Sequence, residues 1–153
     1  MLASVRWLNR LLSDPLPAEE IIARLIRAGF PIESSELLSD GDTRLDVEVT
    51  SNRGDCLSMI GLAREIVAQY SVHSGPKLVA QKRKKMERDS GPVTEFVRVE
   101  NRVPELCPRF TARVIRGVKV GPSPEWLRSA LESVGQRSIN NVVDITNYAN
   151  FEL

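Results

Sequence analysis

Apolar positions in the first half of the chain fall into three patterns. Val5, Trp7, Leu8, Leu11 and Leu12 recur at helical spacing, which predicts a short helix stopping near Ser13-Asp14-Pro15. Pro17 opens a second helix. Glu19 and Glu20 lie in its first turn, Ile21, Ile22, Leu25 and Ile26 form its apolar stripe, and Gly29 provides the stop. Phe30–Leu38 reads as extended and Ser39–Asp42 as a turn. Leu45, Val47 and Val49 then alternate with Asp46 and Glu48, the period of a half-buried strand. After the polar turn Thr50–Asp55, the residues Leu57, Ile60, Ala63, Ile66, Val67 and Tyr70 predict one face of a helix reaching Ser71.

The second half is read in the same way. Residues 72–92 are polar, with His73-Ser74-Gly75-Pro76, the run Lys82–Lys85 and Ser90-Gly91-Pro92, and have the character of a linker. Phe96, Val97 and Val99 predict one strand, and Phe110, Ala112, Val114 and Ile115 a second that runs to Val118. Ser123 is placed as the cap of a helix with Pro124 at its first position and Gly135 as its stop. Trp126, Leu127, Ala130, Leu131 and Val134 are its buried face. Ser138 is placed as the cap of a last helix carrying Val142, Val143, Ile145 and Tyr148. The expected class is α+β. Leu153 follows with no capping or turn residue, so a boundary inside a longer protein is expected there.

Composition removes several function classes. The 153 residues are 42% hydrophobic and 27% charged, which is ordinary globular usage. No apolar run approaches the ~20 residues of a membrane span, and the first residues lack the pattern of a signal peptide. Two distant cysteines, Cys56 and Cys107, with one histidine, His73, exclude a zinc cluster and a disulfide scaffold. Both cysteines are expected as small buried residues and His73 as an uninvolved one. There is no phosphate-binding glycine loop and no dinucleotide fingerprint. The net charge of +1 is unevenly spread: residues 77–119 carry +7, residues 1–76 carry −4 and residues 120–153 carry −2. A basic middle segment suits a polyanion and equally suits a solvated surface.

Two clusters invite a chemical reading. Asn52, Arg53 and Asp55 flank Gly54 in a turn, where the glycine is expected to permit the bend and the polar side chains to bond nearby backbone. Asn140, Asn141, Asp144, Thr146, Asn147 and Tyr148 concentrate hydrogen-bonding groups on an apolar helix. Spacing alone leaves open whether they are caps and surface positions or the wall of a polar pocket.

Three ordered blocks carry a resemblance. Leu45–Ser58 (LDVEVTSNRGDCLS) with Gly61–Glu65 (GLARE) resembles the EVTPNRPDCLS…GLARE segment of bacterial phenylalanine–tRNA ligase beta subunits. Cys107–Leu127 (CPRFTARVIRGVKVGPSPEWL) and Ile139–Tyr148 (INNVVDITNY) look like the next two blocks of that subunit. Trp7-Leu8 and Ala28-Gly29 fit its opening. The resemblance implies a cytoplasmic enzyme of two alpha and two beta subunits that joins phenylalanine to tRNA(Phe). It uses ATP and magnesium and passes through an aminoacyl-adenylate. The beta subunit adds tRNA contacts and a hydrolytic editing site, and neither a membrane nor DNA is expected as a partner.

On this comparison residues 1–75 correspond to a first small helix-strand-helix domain of the B1 type. Residues 76–92 are a basic linker, and residues 93–153 begin a mixed α/β editing domain of the B3/B4 type. The oligonucleotide-binding insert usual in the family is absent, because Phe30–Arg44 is too short for a barrel of about five strands. Asn147, Asn141, Asn140 and Asp144 fall in the segment that approaches the editing pocket. Amides there orient water or a carbonyl rather than act as a base, so no catalytic residue is expected. Arg109 and Arg113, on one face of the second strand, are RNA-contact candidates, as are Lys82, Arg83, Lys84 and Lys85; ion pairing is the other reading of the two arginines. The chain alone is expected to bind no ATP, magnesium or other metal and to be inactive. The alternative is a stand-alone, non-catalytic RNA-binding or interaction protein derived from the beta subunit.

Overall fold

The structure is a computed structural model, described over residues 1–71, 73–79 and 91–153. In chain order the elements are β1 (Leu2–Ser4), α1 (Val5–Arg10), α2 (Ala18–Arg27), β2 (Ile32–Leu37), β3 (Thr43–Val47), α3 (Met59–Ala68), α4 (Glu125–Ser133) and α5 (Asn141–Glu152). Single 3-10 turns occur at Gly54–Cys56 and Val93–Glu95. The chain divides into two compact units, residues 1–80 with 120–153 and residues 81–119.

In the larger unit three antiparallel strands lie in the order β1-β3-β2. β3 is central, and the alternation expected of it places Leu45 and Val47 fully in the core. The Phe30–Leu38 segment pairs back on β3 as β2, so the bridge between α2 and β3 is one arm of a hairpin. β1 has only three residues, too few to show a period, and pairs with β3 on its other side. Helices α1, α2 and α3 cover the sheet with Trp7, Leu8, Ile21, Leu25, Met59 and Leu62. The same core includes Ala130 and Val134 of α4, and Tyr148 and Phe151 of α5 pack on it.

Three polar anchors set this arrangement. Ser4 caps α1 by accepting the Trp7 N–H, while its hydroxyl donates to the buried Asp42 carboxylate. Asp42 also accepts the Arg6 and Thr43 N–H groups, joining the start of α1 to the β2–β3 hairpin. Arg44 of β3 donates to the carbonyls of Ser133 and Glu132, both at 2.7 Å. A cation there satisfies carbonyls that the end of α4 leaves open. Gly135, at φ 77°, turns the chain out of that helix, as its position in the sequence predicts.

Several expectations are corrected. α3 starts at Met59 with Ser58 as its cap, because the Ser58 hydroxyl accepts the Gly61 N–H. Leu57 therefore lies outside the helix and is exposed, and the buried stripe is Met59, Leu62, Ala63 and Ile66. Ile26 and Trp126 are about half exposed. Pro124 occupies the cap position of α4, and Asn140 rather than Ser138 caps α5. Among the described residues 91–119 there is no strand, so neither the 96–99 nor the 110–118 segment forms one. A strand closes its N–H and C=O groups only against a partner strand, and no described segment pairs with these.

Gly61 marks the closest approach in the core. A Cβ built there would stand 2.0 Å from the Asp55 carbonyl oxygen and 2.9 Å from the Cys56 Cα, both backbone atoms that cannot swing aside. Gly61→Ala is expected to cost about 3 kcal/mol, read as a lower urea midpoint at unchanged slope. An unaltered midpoint would show that the turn yields.

Candidate functional site

The polar residues of the second cluster are concentrated around α5. The Asn140 side chain accepts the N–H groups of Val142 and Val143, each at 3.0 Å. Asn141 exchanges two bonds with Gly121: its N–H donates to the Gly121 carbonyl, and its Oδ1 accepts the Gly121 N–H. Asp144 is fully buried. Its carboxylate accepts the hydroxyls of Ser123 and Ser138 and the N–H of Ile139. Burial alone would raise this carboxyl, but the converging donors outweigh it and hold it below its ordinary value. Ser123 and Ser138 thus serve Asp144 instead of capping helices.

Asn147 is different. It is half-buried, and among the described residues its side-chain amide makes no hydrogen bond. Of the four residues singled out at α5, three are committed to holding the helix, and the Asn147 amide is the one without a hydrogen bond among the described residues.

On the next position, Tyr148 packs its ring on Trp7 and donates its hydroxyl to Glu152. Burial and that bond push the phenol well above its ordinary range. Tyr148 and Glu152 are four apart on a helix, so their pairing is visible in the spacing. Trp7 lies 145 positions from Glu152, and no local pattern shows that contact.

The Arg53 turn is a separate, tightly paired site. The guanidinium donates to both carboxylate oxygens of Asp55, each at 3.0 Å, and to Glu65 at 2.6 Å, and it faces the Phe30 ring. Asn52 accepts the Thr50 hydroxyl, and the Asp55 carboxylate bonds the Arg53 side chain first and backbone at its own position beside it. Gly54 has no positive φ, and a Cβ there would meet open space, so the bend does not depend on glycine. Cys56 is buried as expected, and desolvation first and Asp55 second push its thiol up to about 11. Cys107 is only half-buried.

Asp55, Cys56 and Glu65 are the one set of three possible metal ligands that lie together among the described residues. They do not suit magnesium. Arg53 already supplies the positive charge to both carboxylates, and a thiol is a poor partner for a hard cation. Arg109 and Arg113 are exposed, but neither lies on a strand, so the shared strand face predicted for them does not exist. Lys82, Arg83, Lys84 and Lys85 lie outside the described residues. No helix among the described residues is long and apolar enough to cross a membrane.

Residues 106–153 match the B3/4 domain family. Over 99% of its length the chain is 48% identical to the phenylalanine–tRNA ligase beta subunit of Rhodopirellula baltica. It is 49% identical over 72% of its length to the beta subunit of Geobacter sulfurreducens, and 39% identical over 93% to that of Moorella thermoacetica. The chain belongs to the phenylalanine–tRNA ligase beta-subunit family. It spans 21%, 13% and 17% of those three relatives, about a fifth of their length or less. The first alignment covers 156 positions for nearly all of the 153 residues, which leaves no room for a barrel-sized insertion in that relative.

The pairing of Arg53 with Asp55 gives a pH signature. The guanidinium draws the Asp55 carboxyl from its ordinary 3.8 down to about 2. A depressed carboxyl stabilises the fold above its ordinary value, and the contribution is lost as pH falls toward the folded value. In urea titrations the stability gap between the native chain and Asp55→Asn should be constant near neutrality. It should close as pH falls from 3.8 toward about 2. A gap independent of pH would show that the pair contributes through packing alone.

Proposed function

We propose that the chain is part of the beta subunit of a cytoplasmic phenylalanine–tRNA ligase, which attaches phenylalanine to tRNA(Phe) with ATP and magnesium through an aminoacyl-adenylate. The near-complete coverage of the chain at 48% identity to such a subunit carries this reading. In it, the enzyme assembles from two alpha and two beta subunits. Residues 1–75 act as a first structural domain, residues 76–92 as a linker, and residues 93–153 as the leading part of the editing domain. The match of residues 106–153 to the B3/4 family supports the last assignment.

Within the editing domain, α5 is the wall of the pocket that hydrolyses mischarged tRNA, and Asn147 is its ligand-facing group. The support is chemical. Asn140, Asn141 and Asp144 are engaged by Val142, Gly121, Ser123 and Ser138, whereas the Asn147 amide is open. An amide offers both donor and acceptor and can hold a carbonyl or orient a water. It cannot serve as the base, which another part of the subunit would supply. Asn140, Asn141 and Asp144 serve the pocket by fixing the helix. Arg109 and Arg113, both exposed, are proposed to meet tRNA phosphates, and Lys82, Arg83, Lys84 and Lys85 are proposed from the sequence as further RNA contacts.

The test uses the full-length beta subunit assembled with its alpha partner. The assembly should charge tRNA(Phe) with phenylalanine. Asn147→Ala should slow hydrolysis of Tyr-tRNA(Phe) at least about tenfold and leave phenylalanylation intact. No charging by the native assembly would overturn the ligase reading, and unchanged hydrolysis by the variant would remove Asn147 from the pocket.

A further inference from the structure

Tyr148, the residue after Asn147, is gripped on both faces of its function. Its ring stacks on Trp7 with centroids 4.5 Å apart and planes 11° from parallel. Trp126 meets it edge-on, at 5.5 Å and 85°. Its hydroxyl donates to Glu152 Oε2, and the same oxygen accepts the Trp7 indole N–H at 2.9 Å. Trp7 is 1% exposed and Glu152 8% exposed.

A buried carboxylate persists only where donors meet it, and a buried indole N–H needs an acceptor. Two donors converging on one oxygen satisfy both demands and lock both rings. Tyr148 cannot slide without losing the stack, and cannot rotate without losing Glu152. Because Tyr148 and Asn147 are neighbours on one helix, the roll of α5 at Tyr148 sets the direction of the Asn147 amide. Asp144, bonded to Ser123 and Ser138, holds the preceding turn. Asn147 is therefore bracketed by two fixed points, and one of them is anchored in α1.

We propose that Trp7 is a positioning residue for the hydrolytic site on α5, acting through Tyr148 and Glu152 on the orientation of Asn147. This rests on the reading of α5 as a pocket wall. It assigns to the N-terminal helix a part in editing although Trp7 touches no substrate. A residue that only fills the core would affect stability and leave the turnover of folded enzyme unchanged. A positioning residue changes kcat for hydrolysis with little effect on KM.

Trp7→Phe and Tyr148→Phe each keep an aromatic ring and delete one donor to Glu152. In the full-length assembly with the alpha subunit, each variant should lower kcat for Tyr-tRNA(Phe) hydrolysis about tenfold, with KM within about twofold. Phenylalanylation should be unchanged. The double variant should fall little further than either single one, since both act through one carboxylate. Unchanged hydrolysis in both single variants, or a fall matched by an equal loss of phenylalanylation, would overturn the positioning role. If Asn147→Ala alone leaves hydrolysis unchanged, the pocket reading fails and this inference with it. If Asn147→Ala abolishes hydrolysis while Trp7→Phe and Tyr148→Phe do not slow it, only the inference fails.

Discussion

The Trp7 indole is buried where two distant stretches of chain meet, and its N–H is satisfied by Glu152. Leaving such a donor without an acceptor costs about 1–3 kcal/mol, so the ring's place in the core presupposes α5. Arg44 imposes a matching constraint from the sheet, because its guanidinium completes the carbonyls at the end of α4. Both contacts are directional and link residues 88 to 145 positions apart. Together they explain why residues 120–153 form one compact unit with residues 1–80. The family match, residues 106–153, includes residues of both compact units, so a family boundary and a packing boundary need not coincide.

The same economy of polar groups accounts for α5. A helix carrying Asn140, Asn141, Asp144 and Asn147 beside an apolar core must give each buried polar atom a partner. Ser123, Ser138, Gly121 and the first-turn N–H groups satisfy the first three. What is left open is an amide between two rigid points, and the functional reading follows from that contrast. At the Arg53 turn the opposite holds. Every charge there is already paired within the protein, so the cluster stabilises the start of α3 and has little left to offer a ligand.

Much of this was legible in the sequence wherever one element's own pattern decides the outcome. The Ile21 and Leu25 face of α2, the alternation in β3, the glycine stop after α4 and the α+β class are of that kind. Expectations failed where the outcome depends on a partner. The 96–99 and 110–118 segments have strand composition, but no described strand pairs with them. The caps illustrate the same point on a smaller scale. Ser123 and Ser138 have the right chemistry for a cap, but the buried Asp144 competes for their hydroxyls. Leu57 fits the helical period of α3 and falls just before its first residue, because Ser58 sets the start. The polar cluster on α5 was visible, whereas the commitment of three of its members emerged only from the fold. Trp7 carried no local sign of its tie to Glu152.

The central claim is that α4 and α5 are integral to the core built by residues 1–71. Native-state hydrogen exchange on the chain, with denaturant added below the unfolding transition, tests this directly. If the claim is right, the slowest amides of α5 and of α3 exchange through one common opening, with the same free energy and the same denaturant dependence. If the α5 amides exchange at nearly unprotected rates while those of α3 remain protected, the two segments are independent and the account fails.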